Sequence, residues 1–567
     1  MKHFPFLFKA GLLVGLLFSF ASSAVAQAPS WQSARAVATA TAAAAGNYSV
    51  VNSTVVDVAG NVFLAGYFRN SVVLGGTTLT SFGNYDVFVA KFNPANNQFV
   101  WAQRAGGTGA DYATSLAVSG TSVYVAGYFS GSPAGFGSTT LNDAGYGDVF
   151  VAKLTDAGST GSFVWAQRAG GIFRDYAYAL AVSGTNVYVA GEFESPTAGF
   201  GSATLTNVSD KDVFVAKLSD AGSTGIFVWA QRAGGRSRTV ANALAVSGTS
   251  VYVAGNFYGS TADFGLTRLT NTGAVNVFVA KLADAGSTGS FVWAQGAGGT
   301  DGEAANALAV SGTSVYVAGE FGSSTARFGS ITLTNAGANS GRGDVFVAKL
   351  TDTGSTGSFV WAQRAGGTGS DYATALVVSG TSLYVAGDFY GSTTRFGTAT
   401  LTNAGASGAD VFVAKLTDTG SFEWAQQAGG TGNDAAHALA VSGTRVFMAG
   451  DFNSPTASFG NITITNPTPN TSLGFLASLT DPTLTATAAG RALTPAQLFP
   501  NPARRTATLR LPTGTPSIPL TLTDALGRTV RRYPAPAGPE TALDLGGLPA
   551  GLYLLRGAGA AQRLAVE

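Results

Sequence analysis

The sequence predicts an all-β fold built from one four-stranded sheet used over and over. Three observations carry this. The seven tryptophans stand at Trp31, Trp101, Trp165, Trp229, Trp293, Trp361 and Trp424, with spacings of 70, 64, 64, 64, 68 and 63 residues, and self-similarity at a fixed period is the mark of a repeat array. Six of them sit in nearly the same text, Phe-Val-Trp-Ala-Gln-Arg-Ala-Gly-Gly, first seen at residues 99–107. Hydrophobic residues make up 46% of the 567-residue chain, charged residues 11%, and glycines number 76. So apolar a chain is not disordered, and Gly among Val, Thr, Ser and aromatics suits strands and tight turns.

Taken in order, the chain opens with a secretory signal over residues 1–26. Lys2 and Lys9 form a positive start, residues 11–20 an apolar core, and Ala24-Val25-Ala26 a small-x-small site, so that cleavage falls between Ala26 and Gln27. The apolar run is too short to cross a bilayer, and no later stretch qualifies, so the mature chain is expected to have no transmembrane segment. Removing the signal leaves 30 basic against 31 acidic residues, a net charge of −1. Nothing in that balance suggests a nucleic-acid partner. The absence of cysteine means that an exported chain must be held by its core alone.

The unit is clearest after the second tryptophan. Residues 115–119 (Ser-Leu-Ala-Val-Ser) read as a first strand, and a Gly120-Thr-Ser122 turn leads to a second, Val123-Tyr-Val-Ala-Gly-Tyr-Phe129. Some eighteen looser residues follow. A third strand, Asp148-Val-Phe-Val-Ala-Lys-Leu154, turns through residues 156–161 into the Trp strand, residues 163–169. In the third strand Phe150 and Ala152 point one way and Val149 and Val151 the other, so both faces are covered. Small four-stranded sheets stacked face to face about an axis, as in a β-propeller, satisfy that demand. A glycine recurs in every second strand, at Gly66, Gly127, Gly191, Gly255, Gly319, Gly387 and Gly450, and implies a bulge or a close backbone approach.

First, second and third strands each occur seven times, the last third strand being the worn Phe475-Leu-Ala-Ser-Leu479. Six Trp strands follow a third strand, while one, residues 30–37, precedes everything. The expectation is therefore a seven-bladed β-propeller of four-stranded blades over residues 27–479, closed by an N-terminal strand. Residues 30–37 would pair with residues 474–479, and Trp31 would pack like the other six.

The Trp with its Gly-Gly, the Val-Tyr-Val-Ala-Gly-x-Phe strand and the Asp-Val-Phe-Val-Ala-Lys strand resemble the seven-bladed β-propeller repeat family of bacterial surface proteins. A β-solenoid is the rival architecture, but its rungs are usually much shorter than 64 residues. Residues 480–497, rich in Thr, Ala and Pro, read as a linker. The tail, residues 498–567, runs through Leu498-Phe-Pro-Asn-Pro502, Leu520-Thr-Leu-Thr-Asp-Ala-Leu-Gly-Arg-Thr-Val530, Leu548-Pro-Ala-Gly-Leu-Tyr-Leu-Leu555 and Arg563-Leu-Ala-Val-Glu567. It is similar to the type A C-terminal sorting domain of the type IX secretion system. That resemblance implies a small C-terminal β-sandwich, the type IX machinery as partner of residues 498–567, and passage through the periplasm to the medium or the outer cell surface. Its basic residues are all Arg, eight against four acids.

Candidate chemistry is sparse. With no Cys, and His437 as the one histidine of the mature chain, thiol catalysis and His-rich metal sites are out, and His437 reads as structural. No Asp-x-Asp-x-Asp-Gly calcium loop or phosphate-cradling glycine motif occurs, so no metal and no cofactor is expected. Ten residues after the Trp an acid recurs as Asp111, Asp175, Glu303, Asp371 and Asp434, with Tyr112, Tyr176 and Tyr372 beside three of them. Carboxylates next to aromatics grip sugars by hydrogen bonds and ring stacking. The plainer reading is that these acids cap turns or pair with Arg104, Arg168 and Arg364, three residues after the Trp, since a repeated residue serves the repeat. Asp148, Lys153 and their equivalents read as strand-end charges, and Arg342-Gly-Asp344 as a chance tripeptide. The favoured function is a non-enzymatic surface or secreted propeller for adhesion, for binding polysaccharide or a surface protein, or for building the outer coat. The alternative is a secreted polysaccharide hydrolase or lyase using carboxylates on the long-loop face. An enzyme should break the repeat symmetry, and the departures, Arg236-Ser-Arg238 and Glu303 among them, are mild.

Overall fold

The computed structural model describes residues 29–37, 39–40, 47–271, 273–337, 342–405, 408–468, 471–482, 484, 497–510, 519–524, 528–536, 538, 540–556 and 562–567. The signal segment with Ala26 and Gln27 lies outside these residues, as does most of the linker. The fold is all-β: among the described residues there is no helix, and the array forms sheets of mostly four to six antiparallel strands in a propeller-like arrangement.

The second unit shows how the sequence builds each sheet. Asp111–Ser119, Ser122–Phe129, Asp148–Asp156 and Gly161–Ala169 pair antiparallel in chain order. Gly120 turns the first hairpin at φ 60°, a conformation that suits glycine at the first position of a two-residue hairpin loop. Both expectations for the second-strand glycine hold. The first strand bulges beside Gly127, and a Cβ there would overlap the carbonyl oxygen of Tyr112. The same collision recurs at Gly66, Gly191, Gly255, Gly319, Gly387 and Gly450.

The eighteen residues read as loose contain a short hairpin in every unit, such as Ala134–Phe136 with Thr139–Leu141, turning at Gly137 with φ 62°. These hairpins reach back to the preceding unit: Ala134 pairs with Gly107 and Gly135 with Gly106. The Gly-Gly after each Trp strand is thus a docking strip for the next unit's hairpin, which extends several sheets to six strands.

The seven first strands touch in succession, and Tyr48–Val56 of the first unit also packs on Asp434–Ser442 of the last. Six apolar clusters fill the spaces between successive units, and a seventh joins Phe447, Ala449 and Leu476 to Val51, Leu64 and Phe88.

Charges expected at solvated strand ends are buried between units instead. Lys153 Nζ donates to Asp220 Oδ2 of the next unit at 2.6 Å, Tyr124 Oη donates to the same oxygen at 2.6 Å, and Trp165 Nε1 donates to Asp220 Oδ1 at 3.1 Å. Lys91 with Asp156, Lys217 with Asp284, and Lys281 with Asp352 repeat the clamp. Burial works against charge on Asp220, Asp284 and Asp352, yet the Lys, Tyr and Trp donors outweigh it and hold all three below the ordinary carboxylate range. In the last clamp Lys415 meets Asp481 at 3.1 Å, so packing of the array runs past residue 479 into the expected linker. Asp148 is likewise buried, with Arg168 Nη1 at 2.7 Å.

At the ends of the array Trp31–Ala36 pairs antiparallel with Leu473–Thr480. The register corrects the expectation for Trp31. Trp31 stands opposite Leu479, whereas in the other units that leucine or phenylalanine faces the Phe two residues before the Trp, as Leu154 faces Phe163. Trp31 therefore fills a Phe slot, edge-on to Phe459 at 5.2 Å, just as Phe422 lies edge-on to Phe396 at 5.6 Å. Ser33 takes the Trp position opposite Ser478, which replaces the clamp lysine, and the two hydroxyls bond at 2.8 Å. At this seam Arg35 Nη1 donates to the Asn97 carbonyl at 2.8 Å, its guanidinium over the Phe92 and Phe99 rings.

The tail forms two antiparallel sheets, of three and four strands, around one apolar cluster that includes Leu509, Leu522, Leu543 and Leu564. Its first strand, Gln497–Phe499, begins one residue before the expected boundary.

Candidate functional site

Two positions on the first and second strands differ from unit to unit while their surroundings repeat. One is the residue between Gly and Phe in the second strand: Tyr67, Tyr128, Glu192, Asn256, Glu320, Asp388 and Asp451. The other is the bulged residue of the first strand: Asn52, Thr114, Tyr178, Asn242, Asn306, Thr374 and His437. Five bulged residues donate to a carbonyl of the next unit, as Asn52 does to Ala113 at 2.8 Å, Thr114 to Ala177 at 2.9 Å and Asn242 to Ala305 at 2.9 Å. Tyr178 and His437 turn instead to the acid of their own unit, Glu192 at 2.9 Å and Asp451 at 2.7 Å.

The expected tyrosines lie beside these positions. Cross-strand pairing sets Tyr112 opposite Tyr128, Tyr176 opposite Glu192, and Tyr372 opposite Asp388, and directly opposed residues share a sheet face. Over the first three units the rings form an unbroken band. Centroids lie 5.8 Å apart for Tyr48 and Tyr67, 4.7 Å for Tyr67 and Tyr112, 4.8 Å for Tyr112 and Tyr128, and 4.1 Å for Tyr128 and Tyr176. All five are half-buried, each with part of its surface open.

The expected acids sit beneath that surface. Asp111, Asp175, Glu303, Asp371 and Asp434 are at most 2% exposed. Each accepts the amide of the second Gly of the preceding pair, for example Gly107 to Asp111 at 2.7 Å and Gly367 to Asp371 at 2.8 Å. Asp175 and Asp434 also take the hydroxyls of Ser195 and Ser454, and Glu303 that of Ser323. Burial pushes Asp111 and Asp371 up to about 7 and Asp434 to about 6, and raises Asp175 and Glu303. The acids hold turns, but Arg104, Arg168 and Arg364 are not their ion partners. Those arginines pair with the third-strand acids Asp86, Asp148 and Asp344. Asp344 is fully buried in this pair, which removes the Arg-Gly-Asp tripeptide as an exposed motif.

Sequence reasoning missed the second-strand carboxylates, of which Glu192 and Asp451 are buried and Glu320 and Asp388 partly open. Glu192 is matched by Lys211 at 2.9 Å and Arg238 at 3.0 Å. Asp451 is matched by His437, whose pKa is raised because the Asp451 bond and the charges of Asp451 and Asp388 outweigh its burial. Glu320 takes Asn306 Nδ2 at 2.5 Å, and burial pushes both Glu320 and Asp388 up to about 7. A cleft of about 280 Å³ opens beside them, lined by Asn256, Tyr258, Asp301, Glu303, Glu320 and Tyr372. The available signal was the x of Val-Tyr-Val-Ala-Gly-x-Phe, the one position in that strand that changes chemical class between copies. Among the described residues no group of His, Cys, Asp and Glu is arranged to hold a metal.

Comparison with known proteins speaks first to the other end of the chain. Residues 497–565 match the family described as the secretion system C-terminal sorting domain. The tail is a type IX sorting domain. The sorting domain marks this protein for secretion to the cell surface or beyond, with the type IX machinery as its partner. No curated protein matches the chain. Among solved structures it is similar to Sqt1 from Chaetomium thermophilum, with TM-score 0.39 and 9% identity, over 80% of this chain and 99% of that one. Sqt1 from Saccharomyces cerevisiae gives TM-score 0.37 and 8% identity, over 77% of this chain and 97% of that one. A protein from Lactobacillus plantarum gives TM-score 0.34 and 12% identity, over 88% and 99%. Likenesses so distant say nothing about function.

Proposed function

We propose that this is an exported, non-enzymatic surface protein whose repeats form a closed seven-bladed β-propeller that binds a glycan at its inner rim. On this reading residues 1–26 are removed, residues 27–479 form the ring with the Asp481 clamp attached, and a linker joins it to the sorting domain. Support for closure comes from the seventh apolar cluster and from the pairing of Trp31–Ala36 with Leu473–Thr480. Membership of the seven-bladed repeat family of surface proteins rests on the motifs alone.

The tyrosine band carries the binding proposal. Half-open phenol rings from Tyr48 to Tyr176 offer stacking faces for pyranose rings, while the partly open Glu320 and Asp388 continue the rim as hydrogen-bonding groups for hydroxyls. The test is a glycan array probed with the mature protein and with Tyr112→Ala/Tyr176→Ala. A glycan bound by the first and lost by the second is the expected result. Retention by the double variant, or no binding at all, would remove the rim as a sugar site. Carboxyls titrating near neutral pH also suit a general acid, so a second reading is glycan cleavage by Glu320 and Asp388. Release of reducing ends that disappears in Glu320→Gln would favour it.

A further inference from the structure

One outer cleft breaks the repeat in a way that the inner rim does not explain. It is a pocket of about 450 Å³ between the third Trp strand, Gly225–Gly235, and the hairpin of the fourth unit, Thr261–Phe264 with Thr267–Thr270. Arg232, Arg236 and Arg268 all line it. Arg232 is the arginine that follows most of the tryptophans, but the other two are departures. Where unit four has Arg268, the remaining hairpins have Thr78, Thr140, Thr204, Thr332, Thr400 and Thr463. Where Arg236 follows the Gly pair, the other copies have Thr108, Ile172, Thr300, Thr368 and Thr431.

These two exchanges lie 32 residues apart in sequence, yet pairing of Gly234 with Asp263 and Gly235 with Ala262 brings them to the same cleft. Both exchanges therefore change the same pocket, each putting a guanidinium where most copies have a threonine. Arg268 is fixed by a two-pronged pair with Asp263, at 2.6 and 2.8 Å, and Arg232 is tied to the buried Asp212 at 2.7 Å. No carboxylate pairs with Arg236 among the described residues. The cleft therefore keeps one uncompensated positive charge beside two oriented guanidinium groups. Ser260 and Thr261 add hydroxyls, and the exposed Val208 an apolar edge.

We infer that this cleft is a second binding site, for an acidic saccharide whose oxyanion, a uronate carboxylate or a sulfate ester, is held by the open fork of Arg236, with the remaining donors of the Asp263-paired Arg268 beside it. Guanidinium presents planar paired donors that match either oxyanion, which a threonine cannot do. The volume lies within the range of small-ligand pockets, and the hydroxyl and apolar lining suits a sugar ring better than an acidic peptide backbone.

The test is calorimetric titration of the mature, full-length protein with three oligosaccharides of equal length: one of galacturonate, one of sulfated galactose and one of neutral galactose. A glutamate oligomer of matching charge is the fourth arm. Binding of one or both acidic sugars is expected, weakening at least tenfold in Arg236→Thr/Arg268→Thr and falling as salt is raised. Threonine is what the other hairpins carry at the 268 position, so the fold should tolerate the exchange, and an unchanged circular dichroism spectrum checks this. Tyr112→Ala/Tyr176→Ala should leave acidic-sugar binding intact, which separates this site from the inner rim. Equal affinity for neutral and acidic sugars, undiminished binding in the double Arg variant, or preference for the glutamate oligomer would overturn the proposal.

Discussion

Trp31 should behave energetically as a phenylalanine that happens to be tryptophan. Its side chain is 8% exposed, edge-on to Phe459 at 5.2 Å, and donates from Nε1 to the Gln427 carbonyl at 3.1 Å. Trp31→Ala empties a buried aromatic site and should cost about 3–5 kcal/mol. Trp31→Phe gives this slot the residue that Phe99, Phe163, Phe227, Phe291, Phe359 and Phe422 supply elsewhere. It keeps the ring contact with Phe459, loses one hydrogen bond of about 0.5–1.5 kcal/mol, and should cost about 1–2 kcal/mol with the smaller ring area included. The contrasting variant is Trp229→Phe. There the lost bond runs to the charged Asp284 at 3.0 Å, and the cost should reach about 2–4 kcal/mol. Guanidinium unfolding of the mature protein, followed by far-UV circular dichroism, measures all three. Removal of residues 27–39 should shift the midpoint further than any of them. A Trp31→Phe variant as destabilised as Trp31→Ala would refute the Phe-slot reasoning, and an unchanged midpoint after removing the strand would refute its role at the seam.

Asp284→Ala should cost about 3–5 kcal/mol, because it strands a buried Lys217 without its partner. Lys217→Met combined with Asp284→Asn should recover most of the loss in the same assay, since it removes the charge, keeps an acceptor for Trp229 and leaves the Tyr188 hydroxyl to accept from the new amide. Thermal midpoints should fall as pH rises from about 4 to about 7. Asp111, Asp371, Glu320 and Asp388 titrate near 7 in the fold, against about 4 in an unfolded chain, so the folded state holds more protons across that window. Further acidification should then destabilise, as Asp220, Asp284 and Asp352, depressed in the fold, lose their clamp charges; a midpoint higher at pH 7.5 than at pH 5 would contradict this sign. Deleting residues 498–567 should leave a folded protein in the periplasm, checked by cell fractionation, and surface display equal to that of the intact chain would contradict the address reading.

What the sequence determined by itself was everything that depends on neighbours along the chain. Short runs of Val, Tyr, Phe and Ala, apolar on both faces, set the strands, Gly-x turns set the hairpins, and the recurring glycine announced a crowded backbone at Gly127 and its equivalents. The tail was legible because its motifs are local as well. The hairpin turning at Gly137 was equally local but hidden in a Gly- and Thr-rich run that resembles a loop. Tertiary structure alone decided the rest. Lys153 meets Asp220 across 67 residues, and Ser33 meets Ser478 across 445. No local pattern reports a partner that arrives only when whole sheets stack, so buried clamps looked like solvated strand ends. Aligning copies by their tryptophans likewise misplaced Trp31, because pairing with Leu479 answers to the shape of the final sheet. For the same reason the sequence left open whether the acids cap turns or pair with arginines. Repetition showed that Asp111 and its equivalents mattered, but only the folded turn shows their carboxylates facing inward to the Gly amides, leaving the surface to Tyr112, Glu320 and Asp388.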